Sequence, residues 1–171
     1  MADGYRGVFG AVPYAIRSSD SWIFRSYALV SALAAALVTL LVVSGVVVLI
    51  ARTSAARGGL LTLSRSFYMV VGLFIVAPTL APTLLVARRH RREGRGHRSY
   101  DAALALVGYL FLLSVYVGVV ITVPPAQQTT PTGALAPLIA FLYGLPQLAG
   151  LVPPLVGALL IVAVHRALGR R

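Results

Sequence analysis

Apolar residues run through this chain in four long stretches, separated by short segments that carry nearly all of its charge. The stretches cover residues 27–51, 66–87, 100–123 and 147–166. Each reaches the run of about 20 residues that an α-helix needs to cross the hydrocarbon core of a bilayer. The pattern predicts an all-α integral membrane protein, in which residues 1–171 form a single domain built as a four-helix bundle.

The first 26 residues differ from the spans because they mix apolar and basic positions. Between Tyr5 and Ile16 the apolar residues recur at helical spacing, with Arg6 and Arg17 elsewhere on the helical wheel. A basic amphipathic helix of this kind lies in the headgroup layer rather than across the bilayer. We therefore expect residues 1–26 to form a cytoplasmic segment with a short interfacial helix.

The last apolar run is too long for one straight span. Residues 138–166 would form a helix of about 43 Å, against a hydrocarbon core of about 30 Å. Pro146 lies inside this run, and proline interrupts helical hydrogen bonding. We predict a broken fourth span, in which residues 138–146 form a short interfacial or re-entrant helix and the membrane helix begins at Gln147.

Composition supports a membrane setting and removes several functional classes. With 58% hydrophobic residues and a mean hydropathy of +0.88, the chain has too little polar material to coat a soluble globule. It contains no cysteine, which excludes disulfides, thiol chemistry and cysteine-ligated metals. The basic residues that give the net charge of +11 lie at the ends of apolar helices. Nucleic-acid recognition instead needs a basic folded surface with groups that read the bases. We expect no nucleic-acid partner.

The arginines predict which way the chain faces. Twelve of the 15 lie before the first span, between the second and third spans, or at and beyond the end of the fourth, and the other three lie between the first two spans. Positive residues collect in the cytoplasmic loops of membrane proteins. We therefore expect a multi-pass cell-membrane protein with both termini in the cytoplasm and an arginine-rich cytoplasmic loop at residues 88–99.

That loop contains the densest charge in the chain, and its arginines are Arg88, Arg89, Arg91, Arg92, Arg95 and Arg98. Topology alone can account for such a cluster. Guanidinium groups also bond phosphate and carboxylate bidentately, and each contributes about 1 kcal/mol near an anionic leaflet. The two interpretations are compatible, so the cluster is also a candidate site for anionic lipid headgroups or for an acidic membrane partner.

The interiors of the predicted spans carry almost no ionisable side chains. Between their capping residues there is no Asp, Glu, Lys or Arg, and His165 is the only histidine. Proton relays place such groups at membrane depth, and bis-histidine haem ligation needs a pair there, whereas His90 and His97 lie in the arginine cluster. The motifs GxSxG and HExxH are also missing. We predict a non-enzymatic protein without a metal or another cofactor.

Two prolines stand four residues apart inside the second predicted span. Pro78 and Pro82 remove helical hydrogen bonds and should kink this helix. Thr79 and Thr83 follow them directly and can bond part of the backbone that the prolines leave free. A kink with loose carbonyl groups is usually structural, but it can also line a path for a small solute.

The third and fourth spans add three further polar groups. Tyr109 and Tyr116 are seven residues apart on one stripe of the third span, and Gln147 begins the fourth. With Thr79 and Thr83 they predict either interhelical hydrogen bonds of about 0.6 to 2 kcal/mol each or the lining of a weakly polar pocket. The sequence leaves both interpretations open.

Four short segments carry a resemblance to a known family. They are Gly10-Ala11-Val12-Pro13-Tyr14-Ala15-Ile16-Arg17, Ala87-Arg88-Arg89-His90-Arg91-Arg92, Tyr100-Asp101 with Gly108-Tyr109-Leu110-Phe111, and Leu142-Tyr143-Gly144-Leu145-Pro146-Gln147. In these segments the chain resembles an uncharacterised family of four-span membrane proteins from haloarchaea. The resemblance implies a membrane fold over nearly the whole chain and an archaeal setting, but no activity.

The functional prediction follows from the arginine cluster and the apolar span interiors. We expect an accessory or scaffold protein that binds anionic lipid, or a membrane partner, through its arginine-rich cytoplasmic face. The alternative is a subunit of a small-solute channel or transporter, in which the kinked second span and the polar residues of the third and fourth line a path. A homo-oligomer is compatible with either function.

Overall fold

The structure is a computed structural model that describes residues 7–53, 59–93 and 98–169. All regular secondary structure in these three ranges is helical. The α-helices are α1 (Gly7–Ser18), α2 (Trp22–Thr53), α3 (Gly59–Glu93), α4 (Arg98–Ile121), α5 (Ala136–Tyr143) and α6 (Val152–Gly169). Two short 3-10 helices, Pro125–Gln127 and Gln147–Leu151, lie after α4 and before α6. The prediction of an all-α chain is confirmed for this part of the sequence.

Four of these helical segments are long and apolar enough to cross a membrane. They are Trp22–Arg52, Ser66–Arg92, Arg98–Ile121 and Gln147–Gly169. Each overlaps one of the four predicted stretches, so the prediction of four long apolar helices is confirmed. The chain divides into two compact units, unit 1 (Met1–Ala105) and unit 2 (Leu106–Arg171), and each is described by itself below.

In unit 1, α1 packs against α2 and α3, and α2 packs against α3. The face of α1 that is fully buried contains Ala11 and Ala15, whereas Val12 and Ile16 are only half-buried. Tyr5, on the predicted apolar stripe, lies outside the described residues. The predicted helix is therefore present over the described residues Gly7–Ser18, and small side chains on it allow close packing against its neighbours.

The turn between α1 and α2 fixes where α2 begins. The Ser21 hydroxyl accepts a hydrogen bond of 3.3 Å from the Phe24 backbone N–H, which is the usual geometry of a serine N-cap. The helix consequently starts at Trp22, five residues before the predicted span. Phe24, Tyr27 and Ala28 are the first residues of α2 to be fully buried in unit 1.

Helix α3 continues through both prolines and beyond the predicted end of its span. It remains one helical element across Pro78 and Pro82 and ends only at Glu93. The first residues of the predicted cytoplasmic loop, 88–93, are therefore helical. Arginine is a good helix former, and positive charge in the last turn interacts favourably with the helix macrodipole, which together explain the extension.

Unit 2 contains the break that the sequence predicts near Pro146. Helix α5 ends at Tyr143, and the Gly144 N–H bonds the Ala140 carbonyl at 3.2 Å. Pro146 follows, and a 3-10 helix leads into α6. At the other end of this connection α4 stops at Ile121, shortly before Pro124 and Pro125, as expected because proline cannot continue a helix.

Candidate functional site

A serine, an aspartate and a histidine meet in the interior of unit 1. Asp101 lies in the first turn of α4 and is 1% exposed. Its Oδ2 accepts a hydrogen bond of 2.6 Å from the Ser19 hydroxyl, and the His90 Nε2 lies 3.0 Å from Oδ2 and 3.1 Å from Oδ1. Ser19 is fully buried and His90 is 6% exposed. We call these three residues the polar clamp.

The polar clamp joins segments that are far apart in the sequence. Ser19 follows α1, 82 residues before Asp101, and His90 lies in the last turns of α3. Ser19 also receives the Ser21 backbone N–H on its hydroxyl at 3.2 Å and the Arg25 Nε on its carbonyl at 2.7 Å. The turn between α1 and α2 is thereby fixed to the start of α4 and to the end of α3.

The two helix ends suit the charges that the clamp can carry. The carbonyl groups of the last turn of α3 give that end a partial negative charge, and the N–H groups of the first turn of α4 give its end a partial positive charge. An acidic residue in the first turn of α4 and a basic residue in the last turn of α3 both match these signs. A buried pair of this kind adds little net stability over an apolar pair, but removing one partner is costly because the other is left unpaired.

The order of contacts differs from that of a hydrolytic triad. In a serine hydrolase the histidine lies between the serine and the acid, so that it can take the hydroxyl proton. Here Asp101 lies in the middle and contacts both Ser19 and His90. The arrangement fastens three chain segments together through one carboxylate. Among the residues that the structure describes, no group of three His, Cys, Asp or Glu side chains could hold a metal ion.

Most arginines of the cluster are exposed on the same two helices, α3 and α4, that supply His90 and Asp101. Arg88, Arg91, Arg92 and Arg98 are exposed, and we call these four the arginine face. Arg89 is half-buried, with its guanidinium carbon 4.3 Å from the centre of the Tyr100 ring. This is within the range of a cation–π interaction. The sixth predicted residue, Arg95, lies outside the described residues.

Asp101 does not neutralise the arginine face. It is the acidic residue of the first turn of α4, and its carboxylate oxygens bond Ser19 and His90. This carboxylate is thus engaged with Ser19 and His90 inside unit 1. Sequence alone does not reveal this arrangement, because Ser19 is 82 residues away from Asp101.

The residues predicted as a polar lining fall into two groups. In unit 1 the Thr79 hydroxyl donates to the Ile75 carbonyl at 2.7 Å, and the Thr83 hydroxyl lies 3.1 Å from the Ser31 hydroxyl. Both threonines are buried. In unit 2, Tyr109 is half-buried, Tyr116 is 67% exposed and Gln147 is exposed. The Thr83 contact joins α3 to α2, whereas the Thr79 hydroxyl bonds a carbonyl of its own helix.

Two polar residues of α2 complete these bonds and were missed at the sequence level. The Tyr27 hydroxyl donates to the Thr79 carbonyl at 2.7 Å, and Ser31 meets Thr83. Tyr27 and Ser31 are four residues apart, as are Thr79 and Thr83, so each pair lies on one face of its helix. Matching polar pairs at this spacing on consecutive apolar helices are the signal that could have identified the contact.

Comparison with known proteins gives a family and no activity. A family model described as Domain of unknown function (DUF8056) matches residues 1–169. No curated protein and no solved structure matches the chain.

Proposed function

We propose that this chain, which belongs to the DUF8056 family of unknown function, is a non-enzymatic multi-pass membrane protein that binds anionic lipid headgroups through its arginine face. Its role would be that of an accessory or scaffold protein at the inner leaflet. The observation that carries the proposal is the pairing of Asp101 with Ser19 and His90, which leaves the exposed arginines without this carboxylate as a partner.

The membrane setting and orientation are part of the same proposal. Four apolar helices supply the spans, and the distribution of arginine favours cytoplasmic termini with residues 88–98 at the inner surface. The resemblance noted above favours an archaeal cell membrane in strong salt. Since the Debye length falls to about 3 Å at 1 M salt, attraction there must come from direct contact between guanidinium and phosphate.

The geometry of α3 supports direct contact. Arg88 and Arg92 are four residues apart, so their guanidinium groups project from the same side of the helix about one turn apart. Each arginine near an anionic surface contributes about 1 kcal/mol at ordinary ionic strength. Arg98, at the start of α4, is exposed as well and adds to the charge.

Spin-labelled lipids test this function in reconstituted membranes. We would measure the association of labelled phosphatidylglycerol relative to phosphatidylcholine for the unmodified protein and for a triple variant, Arg88→Gln, Arg92→Gln and Arg98→Gln. The triple variant should lose most of the preference for the anionic lipid.

The matched control changes three exposed arginines outside the arginine face, Arg17→Gln, Arg52→Gln and Arg166→Gln. It removes the same total charge and should keep most of the preference. Equal association of the two lipids with the unmodified protein would overturn the proposal. Selective capture of an acidic protein segment in place of lipid would replace the lipid with a protein partner.

A channel or transporter subunit is the second candidate. The supporting observation is the 67% exposure of Tyr116 on an apolar helix, because a phenolic hydroxyl in lipid favours a polar neighbour that another subunit could supply. In this case proteoliposomes should conduct a small solute, and Tyr116→Phe should change the rate. Pro78→Ala in α3 should change it as well if the prolines shape the path. Impermeable proteoliposomes that contain assembled oligomers would rule this function out.

A further inference from the structure

The position of His90 within the arginine cluster links the buried group to the exposed one. His90 is two residues from Arg88 and two from Arg92, which is about 200° of rotation around the helix. The imidazole is buried, and both arginines are exposed. Holding His90 inward therefore directs Arg88 and Arg92 outward.

A second contact between α3 and α4 also restricts the rotation of α3. Arg89 and His90 are adjacent on α3, and their partners Tyr100 and Asp101 are adjacent on α4. Arg89 lies over the Tyr100 ring while His90 contacts the Asp101 carboxylate. Two neighbouring contacts between the same pair of helices restrict rotation of α3 more than one contact would.

Asp101 is in turn held from its other side. The Ser19 hydroxyl bonds Oδ2, and Ser19 is itself fixed by Ser21 and Arg25 at the start of α2. The carboxylate thus cannot follow His90 if α3 rotates without breaking a buried hydrogen bond. Unsatisfied buried polar groups are unfavourable, so the clamp resists that rotation.

We infer that Asp101, with Ser19 and His90, is a positioning residue for lipid binding: the polar clamp sets the rotation of the last turns of α3 and so presents Arg88 and Arg92 to the headgroups. This inference rests on the proposed function, because it concerns how the arginine face is oriented. The clamp touches no lipid itself, since all three of its residues are buried.

The charges around the clamp allow a positioning effect of Asp101 on lipid binding to be distinguished from the effect of its negative charge alone. The ionisable residues closest to the clamp in the sequence are Tyr14, Arg17 and Asp20 near the end of α1, Arg25 and Tyr27 on α2, Arg88, Arg89, Arg91, Arg92 and Glu93 on α3, and Arg98 and Tyr100 on α4. Positive groups predominate. Removing an acidic residue here should strengthen attraction to an anionic surface if charge alone matters. Removing Asp101 should weaken it if the clamp positions the arginines.

The experiment compares Asp101→Ala with Asp20→Ala, using the same relative association of phosphatidylglycerol in reconstituted membranes. Asp20 is exposed in the turn after α1 and is the matched control for loss of one negative charge. We expect Asp101→Ala to lower the relative association about fivefold for each arginine that leaves the headgroup layer. Asp20→Ala should leave it unchanged or raise it.

A milder variant covers the case in which Asp101→Ala does not fold. Ser19→Ala keeps the pair of His90 and Asp101 but removes the bond that anchors the carboxylate. It should lower the association less than Asp101→Ala while the protein keeps its helical circular dichroism. The chain has no cysteine, so a nitroxide at Arg92→Cys can report directly whether α3 has rotated.

Each outcome has a definite meaning. If the unmodified protein prefers phosphatidylglycerol but both Asp101→Ala and Ser19→Ala bind it as strongly as Asp20→Ala does, the positioning role is wrong and the lipid-binding function stands. If the unmodified protein shows no preference, the proposed function fails first. An unchanged nitroxide spectrum at position 92 in folded Asp101→Ala would also contradict the inference.

Discussion

The two units of this chain hold their helices together by different means. Unit 1 uses buried polar side chains: the polar clamp, the bond from Tyr27 to the Thr79 carbonyl, and the contact between Ser31 and Thr83. In unit 2, glycine allows α4 to approach the segment that leads into α6. A β-carbon on Gly118 would collide with the Gly150 carbonyl oxygen, and one on Gly157 would lie 2.7 Å from the Ser114 hydroxyl oxygen.

The two kinds of contact differ in how strongly they fix the rotation of a helix, and rotation decides which side chains reach a surface. In the bilayer that we propose, helices gain little from the hydrophobic effect against one another, so hydrogen bonds and close packing of small residues hold them together. A glycine contact sets the distance between two helices but restricts their rotation only weakly. A hydrogen bond between defined atoms fixes rotation as well, and the arginine face belongs to the unit that has such bonds.

Removing the carboxylate of the clamp should have the largest effect. Asp101→Ala leaves His90 and Ser19 buried without their partner, and we expect the free energy of unfolding to fall by about 3 kcal/mol. Unfolding of the protein in bicelles, followed by steric trapping, measures this. The exposed Asp20→Ala should change stability by less than about 0.5 kcal/mol. If both variants lowered the free energy of unfolding by the same small amount, the polar clamp would not stabilise unit 1.

A larger side chain at the glycine contact should have the second-largest effect on stability, and this effect should lie in unit 2. Gly118→Val forces α4 away from Gly150, which we expect to cost about 2 kcal/mol. Gly45→Val is the control, because a β-carbon there would meet nothing within 4 Å. Hydrogen exchange should show faster opening in α6 for Gly118→Val and unchanged protection in α1. Uniform loss of protection would mean that the two units do not open separately.

Removing the Tyr27 hydroxyl tests a single hydrogen bond between α2 and α3 without leaving a large cavity. Tyr27→Phe removes the donor to the Thr79 carbonyl, and we expect a loss of about 1 kcal/mol. Tyr116→Phe serves as the control because that residue is mostly exposed. Thermal unfolding in the same detergent compares the two. A stability of Tyr27→Phe equal to that of the unmodified protein would remove this bond from the account of unit 1.

The smallest effect is expected where two hydroxyl groups meet. Thr83→Val keeps the shape of the side chain but removes its contact with Ser31, at a cost of about 0.6 kcal/mol. Thr39→Val removes only a bond to a carbonyl of its own helix and should be neutral. The double variant Ser31→Ala with Thr83→Val should cost little more than either change alone. Strict additivity of the two changes would show that the hydroxyl groups do not interact.

Apolar run length was enough to predict the long helices but not where they end. The second run stops at residue 87 by hydropathy, yet α3 continues to Glu93, because helix formation depends on backbone hydrogen bonds and propensity rather than on burial in lipid. The start of α2 depends on the Ser21 cap, which run length does not contain. The break near Pro146 was predictable because proline acts locally.

The polar clamp was not predictable in the same way. Its bond between Ser19 and Asp101 joins residues 82 positions apart, and a sequence pattern does not specify such a contact. In the sequence Asp101 is noted only as part of the segment Tyr100-Asp101 that carries the family resemblance. The useful clue is the position of His90 between arginines: it lies on the opposite side of α3 from Arg88 and Arg92 and can reach inward.

Single-cysteine labelling decides whether the arginine face lies at the inner surface of a membrane, as we propose. Because the chain has no cysteine of its own, Arg92→Cys and Thr129→Cys can each be probed alone in sealed cells with a membrane-impermeant maleimide. We predict that Thr129→Cys reacts in intact cells and that Arg92→Cys reacts only after permeabilisation. Reaction of Arg92→Cys in intact cells would contradict the account.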